Sequence, residues 1–263
     1  MRKGTLLLLS SLLLAAGLSL RCRKEQAIPV LTPSQADYAR LSVTNAALVN
    51  ANLHFYVDGK PVSLPDSLDY GTTVFVNSQV DGVSVPSPYL FMPYGYLQLG
   101  FSLAGSDNLA LALTDYLKRG ENYSVFVIDS LQHGQLRSVL LHDDLGTKDT
   151  LHTKLRFINL SPDAPALDVY IYPNAGTEGY QLFSGRAYLG YDQSKIREEE
   201  KFTLLPAGPY YLTATEAGTN NILLEGGLIM PGNSIITIYV KGLLRNEYGN
   251  KDLNVGVIRF QHP

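Results

Sequence analysis

The chain has 263 residues, of which 45% are hydrophobic and 17% are charged, and its formal net charge is −3. This composition is typical of a folded protein with a sizeable core and argues against a disordered or collagen-like chain. The single cysteine excludes an internal disulfide framework and a cysteine-rich zinc site. The length fits one large domain or two domains of ordinary size.

Residues 1–21 at the N-terminus are predicted to be a signal peptide. Arg2 and Lys3 precede an almost entirely apolar run that extends to Leu20, which is the pattern of a bacterial secretory signal. The run is at the lower limit of length for a membrane span, so an uncleaved anchor stays open as an alternative. Removal of residues 1–21 takes away three basic residues and no acidic one, which lowers the net charge from −3 to −6. We therefore expect no nucleic-acid partner, because phosphate binding needs concentrated positive charge.

Cys22 directly follows the apolar run and resembles the lipid-attachment cysteine of bacterial lipoproteins. Several acyl chains on one cysteine give stable membrane anchoring. Arg21 departs from the small residue that normally precedes such a cysteine, so an ordinary secretory signal is the alternative. We expect an exported protein that is anchored to the cell envelope through Cys22, in the outer membrane. Residues 22–36 are polar and contain proline, as in a short tether.

The rest of the chain presents the same order of features twice. A shift of 114 positions aligns Asn45 with Asn159 and Tyr56 with Tyr170 without a gap. Similar apolar residues occupy many of the positions between these matches. An internal repeat of this length indicates two copies of one structural unit.

The repeat predicts one domain over residues 37–142 and a second over residues 152–263. The segment between them, residues 143–151, is rich in polar residues and is predicted to be a linker. Its acids, among them Asp143 and Asp144, are expected to be solvated. A calcium site at this place is the less favoured alternative, because the segment lacks the regular oxygen-ligand spacing of a calcium loop.

The periodicity along both copies is that of β-strands. Leu53, Phe55 and Val57 alternate with polar or aromatic residues, which places one set toward a core and the other toward solvent. The segments 125–128 and 235–240 are instead continuous runs of β-forming residues. Such runs are typical of strands that are covered on both faces.

Each copy contains about seven short strands by this pattern, separated by turns rich in glycine, asparagine and aspartate. Residues 109–117 are predicted to form a strand, and residues 193–201 a single exposed helical turn. Short strands at this spacing predict an all-β protein of two tandem antiparallel immunoglobulin-like β-sandwich domains.

The second copy carries a recognisable signature. Residues 156–171 read RFINLSPDAPALDVYI, and residues 204–212 read LLPAGPYYL. Both segments resemble the DUF4397 family, an extracytoplasmic bacterial domain. The resemblance covers most of residues 153–263, and the first copy is interpreted as a diverged one. It implies a secreted or surface β-sandwich and no particular activity. The lipoprotein-like start and the tyrosine-rich strands resemble envelope proteins of the Bacteroidota.

The loop Ser161–Pro165 is the most conspicuous local element. Its prolines favour an extended backbone, and Asp163 can close a turn with backbone two residues further on. A rigid crossing between strands explains the loop in structural terms. The functional alternative is that Asp163 and Asp168 help to bind a cation or a sugar hydroxyl.

The tyrosines are the best candidates for binding. The chain has 17 tyrosines and no tryptophan, and Tyr56, Tyr170 and Tyr172 fall on predicted outer faces. A tyrosine offers a flat apolar ring with a polar end, which suits contacts with proteins or sugars. The alternative is that the rings pair across strands and only stabilise the sheets.

The sequence contains no GxSxG, SxxK or HExxH pattern. We therefore expect a non-enzymatic protein without a cofactor or a metal ion. The first hypothesis is adhesion or scaffolding through contacts with another envelope protein. The second is a surface lipoprotein that binds polysaccharide. The third is an extracytoplasmic hydrolase, because carboxylates on separate loops can meet in a glycosidase-like site.

Overall fold

The structure is a computed structural model that describes residues 38–49, 52–64, 68–80, 83–130, 135–173, 178–190, 193–245 and 252–262. The predicted signal peptide, Cys22 and the predicted tether lie outside these residues. In the part of the chain that is described, no helix is long and apolar enough to cross a membrane.

Nearly all regular structure is β-strand, which confirms the all-β class. The first repeat comprises β1 (Ala39–Asn45), β2 (Leu53–Val57), β3 (Lys60–Pro61), β4 (Val76–Val80), β5 (Val83–Ser87), β6 (Tyr89–Met92), β7 (Gly95–Leu103), β8 (Leu109–Leu117), β9 (Asn122–Ser130) and β10 (Gln135–His142). The second repeat comprises β11 (His152–Asn159), β12 (Leu167–Tyr172), β13 (Tyr180–Arg186), β14 (Thr203–Pro206), β15 (Gly208–Glu216), β16 (Ile222–Met230), β17 (Ser234–Lys241) and β18 (Asn254–Gln261). A 3-10 turn, Gln193–Lys195, leads into the short helix α1, Ile196–Glu199. The predicted strand at residues 109–117 is confirmed as β8.

Each repeat contains two four-stranded sheets with matching strand order. The inner sheets run β10-β9-β1-β6 and β18-β17-β11-β14. The outer sheets run β3-β2-β7-β8 and β13-β12-β15-β16, and β4 and β5 form a separate hairpin. The domain boundaries at residues 37–142 and 152–263, and the immunoglobulin-like detail, stay predictions.

Most neighbouring strands are antiparallel, but the centre of each inner sheet is parallel. Val43 on β1 lies beside Val125 on β9, and Phe157 on β11 lies beside Ile238 on β17, in parallel register. The sheets are therefore mixed. The reason is topological, because the first strand of each repeat inserts next to its second-last strand, which runs in the same direction.

Within the described part of the chain, three apolar cores separate four layers of sheet. One core lies between the two sheets of the first repeat, and another lies between the two sheets of the second repeat. The third core lies between the inner sheets of the two repeats and contains buried residues of both, among them Phe126, Ile128, Leu141, Ile158, Tyr239 and Ile258. The inner sheets are therefore covered on both faces, which confirms the prediction for segments 125–128 and 235–240.

The inner sheets contact each other through equivalent residues of the two repeats. Phe126 and Tyr239 occupy matching register positions in β9 and β17, and their ring centroids are 5.5 Å apart. In an interface with two-fold symmetry, residues near the axis contact their own equivalents. The contact between Phe126 and Tyr239 is of that kind, although the two repeats belong to one chain.

The segment between the repeats is not solvated throughout. Asp143 is fully buried and pairs with Arg156, whose side chain is 1% exposed. Its other carboxylate oxygen accepts hydrogen bonds from Tyr89 and Ser124. The expectation that Asp143 is solvated was wrong, because the segment runs along the contact between the inner sheets rather than away from it.

Candidate functional site

The outer sheet of the first repeat exposes one face to solvent. On β7 and β8, Tyr96 stands opposite Tyr116, and their ring centroids are 5.0 Å apart at an interplanar angle of 66°. The next pair on the same face is Gln98 and Thr114. Two aromatic rings and two hydrogen-bonding side chains therefore share one exposed surface. Together with Tyr56, these residues are called the first tyrosine face below.

Tyr56 also lies on this face, as the alternation predicts, because it stands between the buried residues Phe55 and Val57. It is half-buried, and its hydroxyl accepts a hydrogen bond from Ser102 Oγ at 3.3 Å. Its partner across the strand is Gly100, where an added Cβ would lie 3.0 Å from the side chain of Leu109. The glycine therefore leaves room for the Leu109 side chain above it.

The outer sheet of the second repeat forms a second tyrosine face, defined by Tyr170, Tyr172, Tyr211, Thr213 and Glu225. Tyr172 stands opposite Tyr211 with ring centroids 6.4 Å apart, and Tyr170 stands opposite Thr213. Tyr211 donates a hydrogen bond to the Glu225 carboxylate, which raises the pKa of the Tyr211 hydroxyl above its ordinary value. Two of the predicted tyrosines, Tyr170 and Tyr172, are thus brought together on one face.

Asp163 has three hydrogen-bond donors among the described residues. Its carboxylate accepts from the backbone N–H groups of Leu244 and Arg245, at 2.8 and 2.9 Å, and from Ser161 Oγ at 3.2 Å. These contacts join the loop after β11 to the loop after β17. These hydrogen bonds give Asp163 a structural role, which is to attach the two loops to each other. A ligand-binding role for Asp163 stays a prediction.

Asp168 lies on the same face of β12 as Tyr170 but is buried. It accepts hydrogen bonds from the backbone N–H groups of Gly185 at 2.8 Å and Gly218 at 2.9 Å. These two bonds hold the pKa of the Asp168 carboxyl below its ordinary value, because they favour the charged form. The carboxylate therefore fixes two neighbouring loops, and its predicted binding role stays a prediction.

Sequence reasoning did not select Tyr116 as a candidate. Its position in β8 gives no local signal, because its importance comes from the pairing that sets it against Tyr96. Only the strand register, which depends on the whole sheet, brings the two rings together. Among the described residues, no group of three or more His, Cys, Asp or Glu side chains is placed to hold a metal ion.

Several solved structures match the chain with low similarity. A family 41 carbohydrate-binding module of a streptococcal virulence factor, from work on alpha-glucan recognition, is 11% identical, with a TM-score of 0.24 over 77% of this chain and 93% of that one. The Bacillus anthracis TIE protein is 15% identical, with a TM-score of 0.23 over 78% of this chain and 34% of that one. Likenesses at this level do not bear on what this chain binds.

A comparison with curated proteins gives no match. The profile of a domain of unknown function, DUF4397, matches residues 39–170, which is half of the chain. The matched residues cover the first repeat, β11 of the second repeat and β12 as far as Tyr170. The signature noted in the sequence begins at Arg156, so the match overlaps its first part and extends to the copy that was interpreted as diverged. The chain belongs to the DUF4397 family.

Proposed function

We propose that the protein is a non-enzymatic, lipid-anchored envelope protein that binds polysaccharide through the first tyrosine face. The observation that supports this most strongly is the exposed pair Tyr96 and Tyr116, whose side chains are 78% and 47% exposed. Two large rings turned to solvent in a sheet of a folded protein gain nothing from the core. They are available to a ligand.

The chemistry of the face suits a sugar. One side of a pyranose ring carries mainly C–H groups, which pack against the flat side of an aromatic ring, and its edge carries hydroxyl groups. Tyr96 and Tyr116 offer ring surface, while Gln98 and Thr114 offer hydrogen-bond donors and acceptors beside them. A chain of sugars laid along β7 and β8 would meet both kinds of group.

Adhesion through a protein partner was the first hypothesis from the sequence. A protein-binding patch is typically apolar at its centre. The first tyrosine face instead has polar side chains directly beside the rings, so the geometry favours the second hypothesis over the first. Anchoring through Cys22 in the outer membrane is part of the proposal and is supported only by the sequence pattern of residues 1–22.

The test is binding of the chain from residue 23 onward to a broad array of glycans. Every described strand begins at Ala39 or later, so this chain keeps both repeats complete. The variants are Tyr96→Ala and Tyr116→Ala, which remove one ring each. Tyr96→Phe keeps the ring and loses the hydroxyl. Tyr180→Ala, an exposed tyrosine of the other repeat, is the matched control.

We expect selective binding to one class of polysaccharide, with affinity reduced at least tenfold in Tyr96→Ala and Tyr116→Ala. Tyr96→Phe should retain most of the affinity, and Tyr180→Ala all of it. Absence of binding across the whole array would overturn the proposal and return the search to protein partners. Binding that survives both ring deletions would show that the first tyrosine face is not the site.

A further inference from the structure

The two repeats differ in how well their own cores are filled. In the first repeat, Phe55 on β2 stacks on Phe101 on β7, with ring centroids 5.2 Å apart. The matching pair in the second repeat is Val169 on β12 and Ala214 on β15. Two phenyl rings at the centre of one sandwich thus correspond to an isopropyl group and a methyl group in the other.

Beside this pair, the second repeat has another side chain that is smaller than its counterpart in the first repeat. Leu113 on β8 pairs with Leu99 and packs against the core of the first repeat. The matching residue on β16 is Gly226, which pairs with Leu212. A Cβ built on Gly226 would have no heavy atom within 4 Å, so the glycine faces open space rather than a close neighbour.

The space left by these differences is a cavity of about 160 Å³. Its wall is mainly apolar and includes Phe157, Leu212, Ala214, Leu224, Ile238 and Val257. Phe157 does not fill it, because its ring stacks toward Phe183, with centroids 6.2 Å apart. A cavity of about 150 Å³ with such a lining is large enough to bind benzene.

The cavity opens to solvent between two edge strands. In the first repeat, β8 and β10 contact each other and close the corresponding edge of the sandwich. Over their described residues, β16 and β18 make no contact of that extent. Val255 and Val257 of β18 face the opening and are 40% and 45% exposed. A molecule can therefore enter from solvent without separating paired strands.

We propose that the second repeat binds a small hydrophobic molecule with one aromatic ring or a branched hydrocarbon group of that size. The first repeat shows which chemistry fits the space, because a phenyl ring and an isobutyl group occupy it there. Burial of apolar surface provides the affinity, and the cavity volume limits the ligand to about one ring. This site is separate from the first tyrosine face, which lies on the other repeat.

The test uses toluene as the probe and the chain from residue 23 onward as the protein, with affinity measured by NMR titration. Ala214→Phe restores the ring that the first repeat has at Phe101. Gly226→Leu restores the side chain that it has at Leu113. Tyr180→Ala is the matched control, because Tyr180 is an exposed tyrosine of the same repeat outside the residues that line the cavity. Each variant is checked for a cooperative unfolding transition before titration.

We expect the unmodified chain to bind toluene in a saturable manner, and both filled variants to lose at least tenfold in affinity. Tyr180→Ala should bind as the unmodified chain does. If Ala214→Phe does not fold, Gly226→Leu decides the outcome, since open space surrounds its Cβ position. No saturable binding to the unmodified chain, or equal binding to a folded filled variant, would overturn the proposal.

Discussion

Arg156 Nη1 lies 2.5 Å from Asp143 Oδ1, and both side chains are almost completely shielded from solvent between the two repeats. The guanidinium also donates to Thr237 Oγ1 at 3.1 Å and to Ser124 Oγ at 3.4 Å, which are equivalent positions of β17 and β9. Its carbon atom Cζ lies over the ring of Phe202, 4.5 Å from the centroid. A charged pair with so many partners joins the two inner sheets at their shared core.

Replacement of Asp143 with alanine should destabilise the whole protein. It leaves the Arg156 charge buried without a counterion, and breaking such a pair typically costs about 3–5 kcal/mol. The measurement is the free energy of unfolding in urea at neutral pH.

Asp144→Ala is the matched control, because Asp144 is the exposed neighbour of Asp143 and should change the free energy of unfolding little. Combining Asp143→Ala with Arg156→Leu should recover part of the loss, since no unpaired charge then remains. An effect of Asp143→Ala as small as that of Asp144→Ala would contradict the importance of the pair.

The two repeats should unfold in one transition. The core between the inner sheets contains large side chains of both, including Phe126 and Tyr239, so neither repeat can unfold without exposing the apolar face of the other. Urea unfolding followed by circular dichroism and by tyrosine fluorescence should give coincident curves. Two separated transitions would show instead that the repeats are energetically independent.

Two strand glycines of the second repeat should respond in opposite ways to alanine. Gly226 has open space at its Cβ position, so Gly226→Ala should raise the free energy of unfolding by about 0.5–1 kcal/mol, since glycine in a strand carries an entropic cost of that size. A Cβ on Gly256 would lie 2.0 Å from the Tyr239 ring, so Gly256→Ala should lower it by about 1–3 kcal/mol. Urea unfolding of both variants tests this prediction. A change in the free energy of unfolding with the same sign in both variants would contradict the packing described.

Asp168 should contribute to stability at neutral pH and lose that contribution in acid. Backbone hydrogen bonds from Gly218 and Gly185 lower its pKa in the folded protein below the ordinary value of 3.8. This contribution to the free energy of unfolding is complete above the ordinary pKa. It disappears as the pH falls through the lowered pKa of the folded protein, because the Asp168 carboxyl of the unfolded chain binds a proton at a higher pH than that of the folded chain.

The measurement is the urea midpoint of Asp168→Asn and of the unmodified chain between pH 7 and pH 2. The variant should have the lower midpoint at pH 7, and the difference should shrink at the acid end. Asp107→Asn, at an exposed turn position, is the control and should change neither end. A constant difference across the pH range would show that the charge on Asp168 contributes nothing to stability.

Local sequence patterns predicted much of the fold, because the spacing of apolar residues along a strand shows which of its faces is buried. The alternation of Leu53, Phe55 and Val57 matches the buried face of β2, and the continuous apolar run around Val125 matches a strand covered on both sides. The same patterns could not reveal which surface covers the inner sheets. That surface turned out to be the second repeat, and nothing in either run specifies its partner.

The same sequence patterns predicted only part of the candidate site. The alternation places Tyr56, Tyr170 and Tyr172 on outward faces, but it says nothing about their distances to other strands. Tyr116 became visible only when the register of β7 and β8 set it opposite Tyr96. Asp143 is the opposite case, since its polar neighbours in the chain suggested solvent while its neighbours in space are Arg156 and Tyr89.

The all-β class, the internal repeat and the strands that are buried on both faces could be predicted from the sequence, because these features depend on residue type and spacing along the chain. Three features required the tertiary structure: equivalent residues of the two repeats meet where the inner sheets pack, Asp143 pairs with Arg156, and Ala214 and Gly226 leave a cavity where the first repeat is filled. These features depend on contacts between residues far apart in the chain. The stability of these contacts comes from the packing of whole sheets against each other, which a local sequence pattern does not show.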